Sequence, residues 1–372
     1  MTILLLLLSN GVPVIIFRYL SKEVFITLVS LTTILLLIFM SNQFIQYLNR
    51  VANGQIPAML LMKLMMLELP TLLVLLLPLG FYMALLVAYG RLYAESEMTV
   101  LQACGYGPLK LLGHSFIMAS MVAFMVLVIV TWASPLVMAE RAKLLRATGV
   151  QTIIKTLVPG RFQAVSKGRQ VFYVGAMNSD HTVAEDVFLA RQVERKGQLE
   201  WDVLWAKTAY SQTEEGTYED YVIMQDGRHY QGIPGDADYQ VAKFERLKAR
   251  LPHPKVEITG DVRTRPMSEL WPFNNPNLLK AAELQWRFSI PIMVLTLTLV
   301  GVPLSRVNPR AGKYAKLLPA MVLYILYANM MFIARDWLAT GKTPIWVGMW
   351  WPHLTVVMIG LFIFYRNQKK PA

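Results

Sequence analysis

Arg91-Leu-Tyr-Ala-Glu-Ser-Glu-Met-Thr-Val-Leu-Gln-Ala-Cys-Gly-Tyr-Gly107 is a polar stretch set between two long apolar runs. Ser96 stands where a helix N-cap is expected, and Glu97 falls in the first turn, where a carboxylate complements the helix dipole. Met98, Leu101 and Cys104 recur at spacings of three and so share one face. Gly105 is a natural stop, because glycine takes the left-handed conformation that closes a helix. The spacing therefore predicts about two turns of helix, within about 94–106, joined to apolar segments on both sides. By itself this pattern describes a solvated inter-helix loop with an acidic cap.

The apolar runs around it set the class. The chain has 372 residues, 55% hydrophobic and 16% charged, too apolar for a soluble protein with such long uninterrupted runs. Spans are expected at Phe25 to about Ile45, Leu69 to Tyr89, Leu109 to about Leu136, Ala281 to Leu304, Leu317 to Ile333 and Ile345 to Tyr365. Pro70 and Pro78 are expected to kink or delimit the second. Glu283 and Arg287 open the fourth at i,i+4, in the favourable orientation, with Trp286 suited to an interface.

Between the third and fourth spans the pattern changes. Residues 140–156 still read as an amphipathic helix. After Pro159-Gly160 come short runs rich in β-branched and aromatic residues, at Val171–Gly175, Asp186–Ala190, Val203–Lys207 and Tyr221–Gln225. Asn178-Ser-Asp and Glu215-Gly supply turns, and Asp226-Gly reads as a hairpin that returns through Arg228-His-Tyr-Gln. The spacing implies an antiparallel sandwich or jelly roll, which periodicity does not separate. Phe172, Val174, Phe188, Val203, Trp205, Val222 and Met224 are candidates for its interior. Pro252, Pro254, Pro266, Pro272 and Pro276 mark an irregular return to the membrane. The expected fold is an α-helical polytopic membrane protein with six transmembrane helices and an inserted, jelly-roll-like all-β domain. Its parts are 1–136, 137–279 and 280–372.

Charge gives the orientation. The net charge is +12, yet residues 137–282 hold 20 Lys and Arg against 18 Asp and Glu, so the excess lies beside the spans. A nucleic-acid surface would place it in the polar domain. With the N-terminus inside, Arg18, Lys22, Arg91, Lys110, Arg306, Arg310, Lys313, Lys316, Arg366, Lys369 and Lys370 face the cytoplasm, and only Arg50, Lys63, Arg335 and Lys342 lie in short outer loops. The positive-inside rule then puts both termini and the Arg91–Gly107 stretch in the cytoplasm, and the β domain in a periplasm. The four basic residues after Ser305 serve chiefly as topology determinants.

Catalytic signatures are missing. No phosphate loop, Gly-x-Ser-x-Gly elbow or His-Glu-x-x-His occurs, and the five histidines are scattered. The single cysteine, Cys104, excludes an intrachain disulfide and a cysteine metal cluster. The spans are almost free of ionisable groups, which argues against intramembrane catalysis.

Three strings carry a resemblance: Leu92-Tyr-Ala-Glu-Ser-Glu-Met-Thr-Val-Leu-Gln-Ala-Cys-Gly105, Glu283-Leu-Gln-Trp-Arg287 and Val302-Pro-Leu-Ser-Arg-Val-Asn-Pro-Arg310. Over Val14 to Tyr365 the chain resembles the LptF/LptG family of lipopolysaccharide export permeases, and the Asn-Pro-Arg string looks like the LptF side of it. The resemblance implies a non-catalytic permease subunit in the inner membrane. It would pair with LptG above an LptB ATPase dimer that binds ATP and Mg, with LptC and the LptA bridge at the periplasmic domain. It makes Glu97 the coupling acid, with Glu95, Ser96, Met98 and Leu101 on the same ATPase-facing segment. Basic residues that the family can carry on the outer half of the first span are replaced here by Ser41-Asn-Gln-Phe-Ile-Gln46, with Arg50 the nearest positive charge. Arg50, Lys63, Phe172, Phe188 and Val222 are the candidate substrate contacts. The family pattern begins near Val14, so residues 1–13 read either as an extension from an upstream start codon or as a short uncleaved apolar lead. The alternative function is a membrane-anchored scaffold whose β domain only docks partners.

Overall fold

The computed structural model describes residues 14–52, 56–147, 159–165, 170–178, 183–195, 198–213, 220–233, 239–250, 262–273, 275–307 and 316–368. Residues 1–13 and the Asn308-Pro-Arg310 string lie outside them. The first helix, α1, runs Val14–Ala52, and α2 follows a 3₁₀ turn at Leu61–Ala94. At 1.5 Å per residue α1 is roughly 58 Å long, well beyond the ~30 Å a bilayer core needs. Neither Pro70 nor Pro78 ends α2; each removes a hydrogen bond that an apolar, tightly packed helix tolerates.

A short helix α3, Glu97–Ala103, leads to α4, Pro108–Val128, a π-helical turn at Ile129–Ala133, and α5, Ser134–Ala147. The third span thus continues past Pro135. The widened turn includes Thr131, the residue whose carbonyl the Pro135 ring would otherwise strike. After the β strands come α6 (Met267–Leu270), α7 (Leu278–Leu304), α8 (Leu317–Ala339) and α9 (Trp350–Gln368). Asn277 caps α7, its side-chain oxygen accepting from the Leu279 and Lys280 amides. Among the described residues, five helical segments are long and apolar enough to cross a membrane: Ile15–Ala52, Ala58–Ala94, Pro108–Leu145, Leu278–Leu304 and Leu317–Ala339. Where the sixth span was expected from Ile345, turns precede α9. The buried Gln285 side chain holds them, donating to the Ile345 carbonyl at 2.8 Å and accepting from the Met349 amide at 2.9 Å.

The described residues fall into two compact units. One, within Met1–Asn42, Leu67–Ala139 and Asp261–Ala372, is helical. Its centre is α7, packed against α4, α8 and α9. At Gly301 the helices approach closely, since a Cβ there would stand 3.1 Å from the Tyr82 ring. In contrast, α1 is held by one narrow stripe of buried side chains, Leu20, Val24, Leu28 and Thr32, spaced by four.

The other unit, within Gln43–Met66 and Glu140–Gly260, holds the strands. These are β1 (Gln163–Val165), β2 (Gln170–Met177), β3 (Val183–Arg195), β4 (Gln198–Thr213), β5 (Asp220–Gly232) and β6 (Gln240–Arg250). They form one antiparallel sheet in sequence order. Asp226-Gly227 is not a hairpin turn: β5 continues past it, because Gln225 and Gly227 pair on both sides, with Thr208 and Ala206 of β4 and with Arg246 and Phe244 of β6.

A crease crosses the sheet at this level. Asp186 and Asp226 both have φ of 51°, and the row Gly175, Asp186, Lys207, Asp226 is skipped in each ladder without any change of register. Each strand resumes with its alternation shifted. Val174 and Met177, Ala184 and Val187, and Ala206 and Ala209 therefore stand three apart yet in one apolar cluster, with Leu189, Leu204, Val222 and Met224. Phe172, Val174, Val222 and Met224 belong to this face as expected. Phe188, Val203 and Trp205 do not. Register pairs Phe172 with Leu189, not with Phe188, and Phe188 meets Phe162 on the other side.

Candidate coupling site

The turn between α2 and α3 is built from local hydrogen bonds. The Glu95 amide donates to the Arg91 carbonyl at 2.9 Å, and the Ser96 amide to the Tyr93 carbonyl at 3.1 Å, which ends α2. Ser96 holds the N-cap position, but with φ of 63° its side chain makes no cap bond. The left-handed backbone turns the hydroxyl away from the amides it was expected to cap. At the far end Gly105, with φ of 85°, closes the helix. Its amide donates to the Gln102 carbonyl and the Tyr106 amide to the Leu101 carbonyl, each at 3.0 Å, the paired pattern of a glycine-terminated helix. Pro108 then opens α4 at its first turn.

Seven residues are too few for a stable isolated helix, so α3 depends on its seat. Met98 provides it: fully buried, it joins Leu20, Val24, Leu92, Tyr93, Tyr106 and Leu111 in one cluster. Leu101 packs at the edge of that cluster, whereas Cys104 is exposed and leaves the face the spacing gave it. Glu95, Ser96, Thr99, Val100 and Ala103 face outward. Glu97 is half-buried at the side, its carboxylate accepting from the Tyr19 hydroxyl of α1 at 2.8 Å. One turn along α1, Glu23 accepts from Arg91 at 2.6 Å. Gln102 donates to the Tyr93 hydroxyl at 3.1 Å, and Lys110 to the Gly105 carbonyl at 3.2 Å.

Beside α3 lies a groove of about 190 Å³ lined by Tyr93, Gln102, Pro108, Leu111, Val302, Pro303, Arg306, Phe364 and Asn367. It joins the helix ends nearest the basic loop. Asn367 donates to the Pro303 carbonyl at 2.8 Å, and Arg306 to the Asn367 carbonyl at 3.0 Å. Lys316 donates to the Arg306 carbonyl. Arg310 and Lys313 lie outside the described residues.

At the start of α7 the expected Glu283–Arg287 pair forms, at 3.0 Å, and both side chains are buried. Sequence spacing missed its third member. Arg335 of α8 donates to the other Glu283 oxygen at 2.5 Å, and its guanidinium lies over the Trp286 ring at 4.8 Å. Arg287 also donates to the carbonyls of Arg263 and Arg265.

The substrate candidates are scattered. Lys63 lies 4.0 Å from Glu140, with both side chains about half exposed. Arg50 lies over the Tyr47 ring at 5.7 Å. Phe172 and Val222 belong to the apolar face of the sheet, and Phe188 to the opposite one. That apolar face ends in a polar cluster the strand pattern did not reveal. Asp202, buried, accepts from Arg191 at 2.7 Å and contacts His229. Burial alone would raise its pKa, but the His229 and Arg191 contacts outweigh it and hold the carboxyl below its ordinary value. Inter-strand register brings them together, pairing Arg191 with Asp202 and placing His229 opposite Leu204, two residues along from Asp202.

Residues 18–366 match the profile of the lipopolysaccharide export system permease LptF/LptG family. Similar proteins include the lipopolysaccharide export system permease protein LptF of Escherichia coli (strain K12) and that of Shigella flexneri. Each is 31% identical over 351 residues, covering 94% of this chain and 94% of the relative. With its long apolar helices, inserted antiparallel sheet and a match across almost its whole length, the chain belongs to the lipopolysaccharide export system permease LptF/LptG family.

Proposed function

We propose that the chain is the permease subunit of an ABC transporter that extracts lipopolysaccharide from the inner membrane and passes it to a periplasmic bridge. It carries no ATP site of its own. ATP and Mg are bound by an LptB dimer docked at α3, LptG is the paired permease, and LptC and LptA receive the lipid. Both termini and α3 face the cytoplasm and residues 137–279 face the periplasm, a reading supported by the basic residues near α3, after Ser305 and at the C-terminus.

The observation that carries the reading is the construction of α3. A helix too short to stand alone is seated by Met98 in the core shared by α1, α2, α4 and α7, while Ser96, Thr99 and Val100 face outward. A force applied to that outer face reaches the ends of the spanning helices through buried contacts. Glu97, at its side, is the coupling acid, with Glu95 a second acid on the exposed turn. In the periplasm, the apolar sheet face around Phe172 and Val222 shelters acyl chains, whose exposure to water costs about 25 cal/mol per Å². Arg50 and Lys63 meet the charged headgroup.

Replacing Glu97 by Lys tests the coupling role. The expected result is loss of the ATPase from the purified complex, or ATP hydrolysis without export. Wild-type assembly together with wild-type export in this variant would overturn it. A surface acid serving only its own helix contributes about 0.3–1 kcal/mol and would leave both intact.

A further inference from the structure

The first helix is the one most loosely attached to the helical unit, with only 17% of its most apolar window buried, against 72% for α7. Its strongest ties are at one end. Tyr19 and Glu23 lie one turn apart on one face of α1. Tyr19 donates to Glu97 in the first turn of α3 at 2.8 Å, and Glu23 accepts from Arg91 in the last turn of α2 at 2.6 Å. The two contacts bracket the turn at Glu95 and Ser96. Next to Tyr19 and Glu23 in sequence, Leu20 and Val24 are buried in the same cluster as Leu92, Tyr93 and Met98. Farther along α1, as far as Asn42, the stripe narrows to Leu28 and Thr32; beyond it Tyr47 is buried with Ile56 and Leu64 in the other unit. Polar contacts that keep part of their exposure to solvent, as both of these do, add little to stability. Their effect is geometric: they fix the angle of α1 to the position of α3.

We propose that Tyr19 and Glu23 are positioning residues that carry a displacement of α3 into α1, so that the outer half of α1 moves when the partner ATPase moves α3. The inference rests on the coupling role of α3 and adds to it the route by which the movement enters the membrane. A push on α3 shifts Glu97, which draws Tyr19. Arg91, at the end of α2, holds Glu23 as the second point of support. Two points one turn apart transmit a tilt, which a single contact does not.

The test uses the complete permease–ATPase complex in proteoliposomes loaded with lipopolysaccharide. Lipopolysaccharide released and ATP hydrolysed are measured together. Tyr19→Phe removes one hydroxyl from an exposed side chain, so the complex assembles and hydrolyses ATP. Release per ATP should fall about fivefold or more, the lower end of ordinary coupling between sites. Glu23→Arg and Arg91→Glu should each lower the same ratio, and the two together should restore it, which a purely structural role does not explain. Wild-type release per ATP in Tyr19→Phe and Glu23→Arg, with Glu97→Lys still uncoupled, would overturn this inference and leave the coupling role standing. Wild-type behaviour of Glu97→Lys as well would remove both.

Discussion

Replacing Met98 by Ala should loosen α3 without unfolding the protein. Met98 is fully buried and packs with Leu20, Val24, Leu92, Tyr93, Tyr106 and Leu111. A buried Met→Ala change costs about 2–5 kcal/mol, from lost apolar burial and the cavity left behind. The helix has only seven residues and no side-chain cap bond at Ser96, so this loss falls almost wholly on its local opening. Taking the lower figure, about 2 kcal/mol, the open population rises about thirtyfold. The readout is hydrogen exchange of the Val100 and Cys104 amides, which donate to the Ser96 and Val100 carbonyls at 3.1 and 3.0 Å. It is measured on the detergent-solubilised chain by itself, where reclosing outruns exchange. Val100→Ala is the control: Val100 is 62% exposed, and such a surface change stays within about 0.5 kcal/mol, about twofold in exchange. Unchanged exchange in Met98→Ala, or an equal effect from Val100→Ala, would show that Met98 does not seat the helix.

Glu283→Ala leaves two buried or half-buried guanidiniums, Arg287 and Arg335, without their carboxylate. Thermal unfolding in detergent should show a loss of about 3–5 kcal/mol, while Glu283→Leu with Arg287→Met should recover much of it. In the β-rich unit the Asp202 carboxyl is held below its ordinary value. A depressed carboxyl stabilises the fold above its unfolded value, about 3.9, and that contribution disappears as pH falls through the lower folded value. Acid titration of tryptophan fluorescence should therefore show an unfolding limb below about pH 4 that Asp202→Asn weakens, and an unaltered limb would exclude Asp202 as its cause. Photo-crosslinkers at Phe172 and Val222 should give ATP-dependent adducts with lipopolysaccharide, and one at Phe188 should not. Protein-only adducts from the first two, in exporting cells, would make the sheet a docking surface.

Much of the candidate site was legible in the chain because its signals are local. Gly105 ends α3 with a positive φ, and Glu97 lies in its first turn, where spacing put it. Glu283 and Arg287 meet because i,i+4 residues share a helix face. Ser96 was misread as a capping side chain for the same local reason. Its residue type suits a cap, but the tight reversal after α2 places it in the left-handed region, and no spacing rule contains that reversal.

Hydropathy and charge by themselves determined the membrane class, the positions of the long helices and the β-rich insertion, because burying apolar side chains along one chain segment needs no knowledge of its neighbours. Only the tertiary structure decided which distant groups meet. Tyr19 reaches Glu97 across 78 residues and Arg335 completes the Glu283 pair across 52. Inter-strand register puts Phe172 opposite Leu189 and sends Phe188 to the other face. It also carries β5 through Asp226-Gly227, where a turn signal stood, because β4 and β6 pair with Gln225 and Gly227 on either side of the left-handed Asp226. These outcomes depend on packing angle and register, quantities set by the whole assembly of elements rather than by the spacing within any one of them.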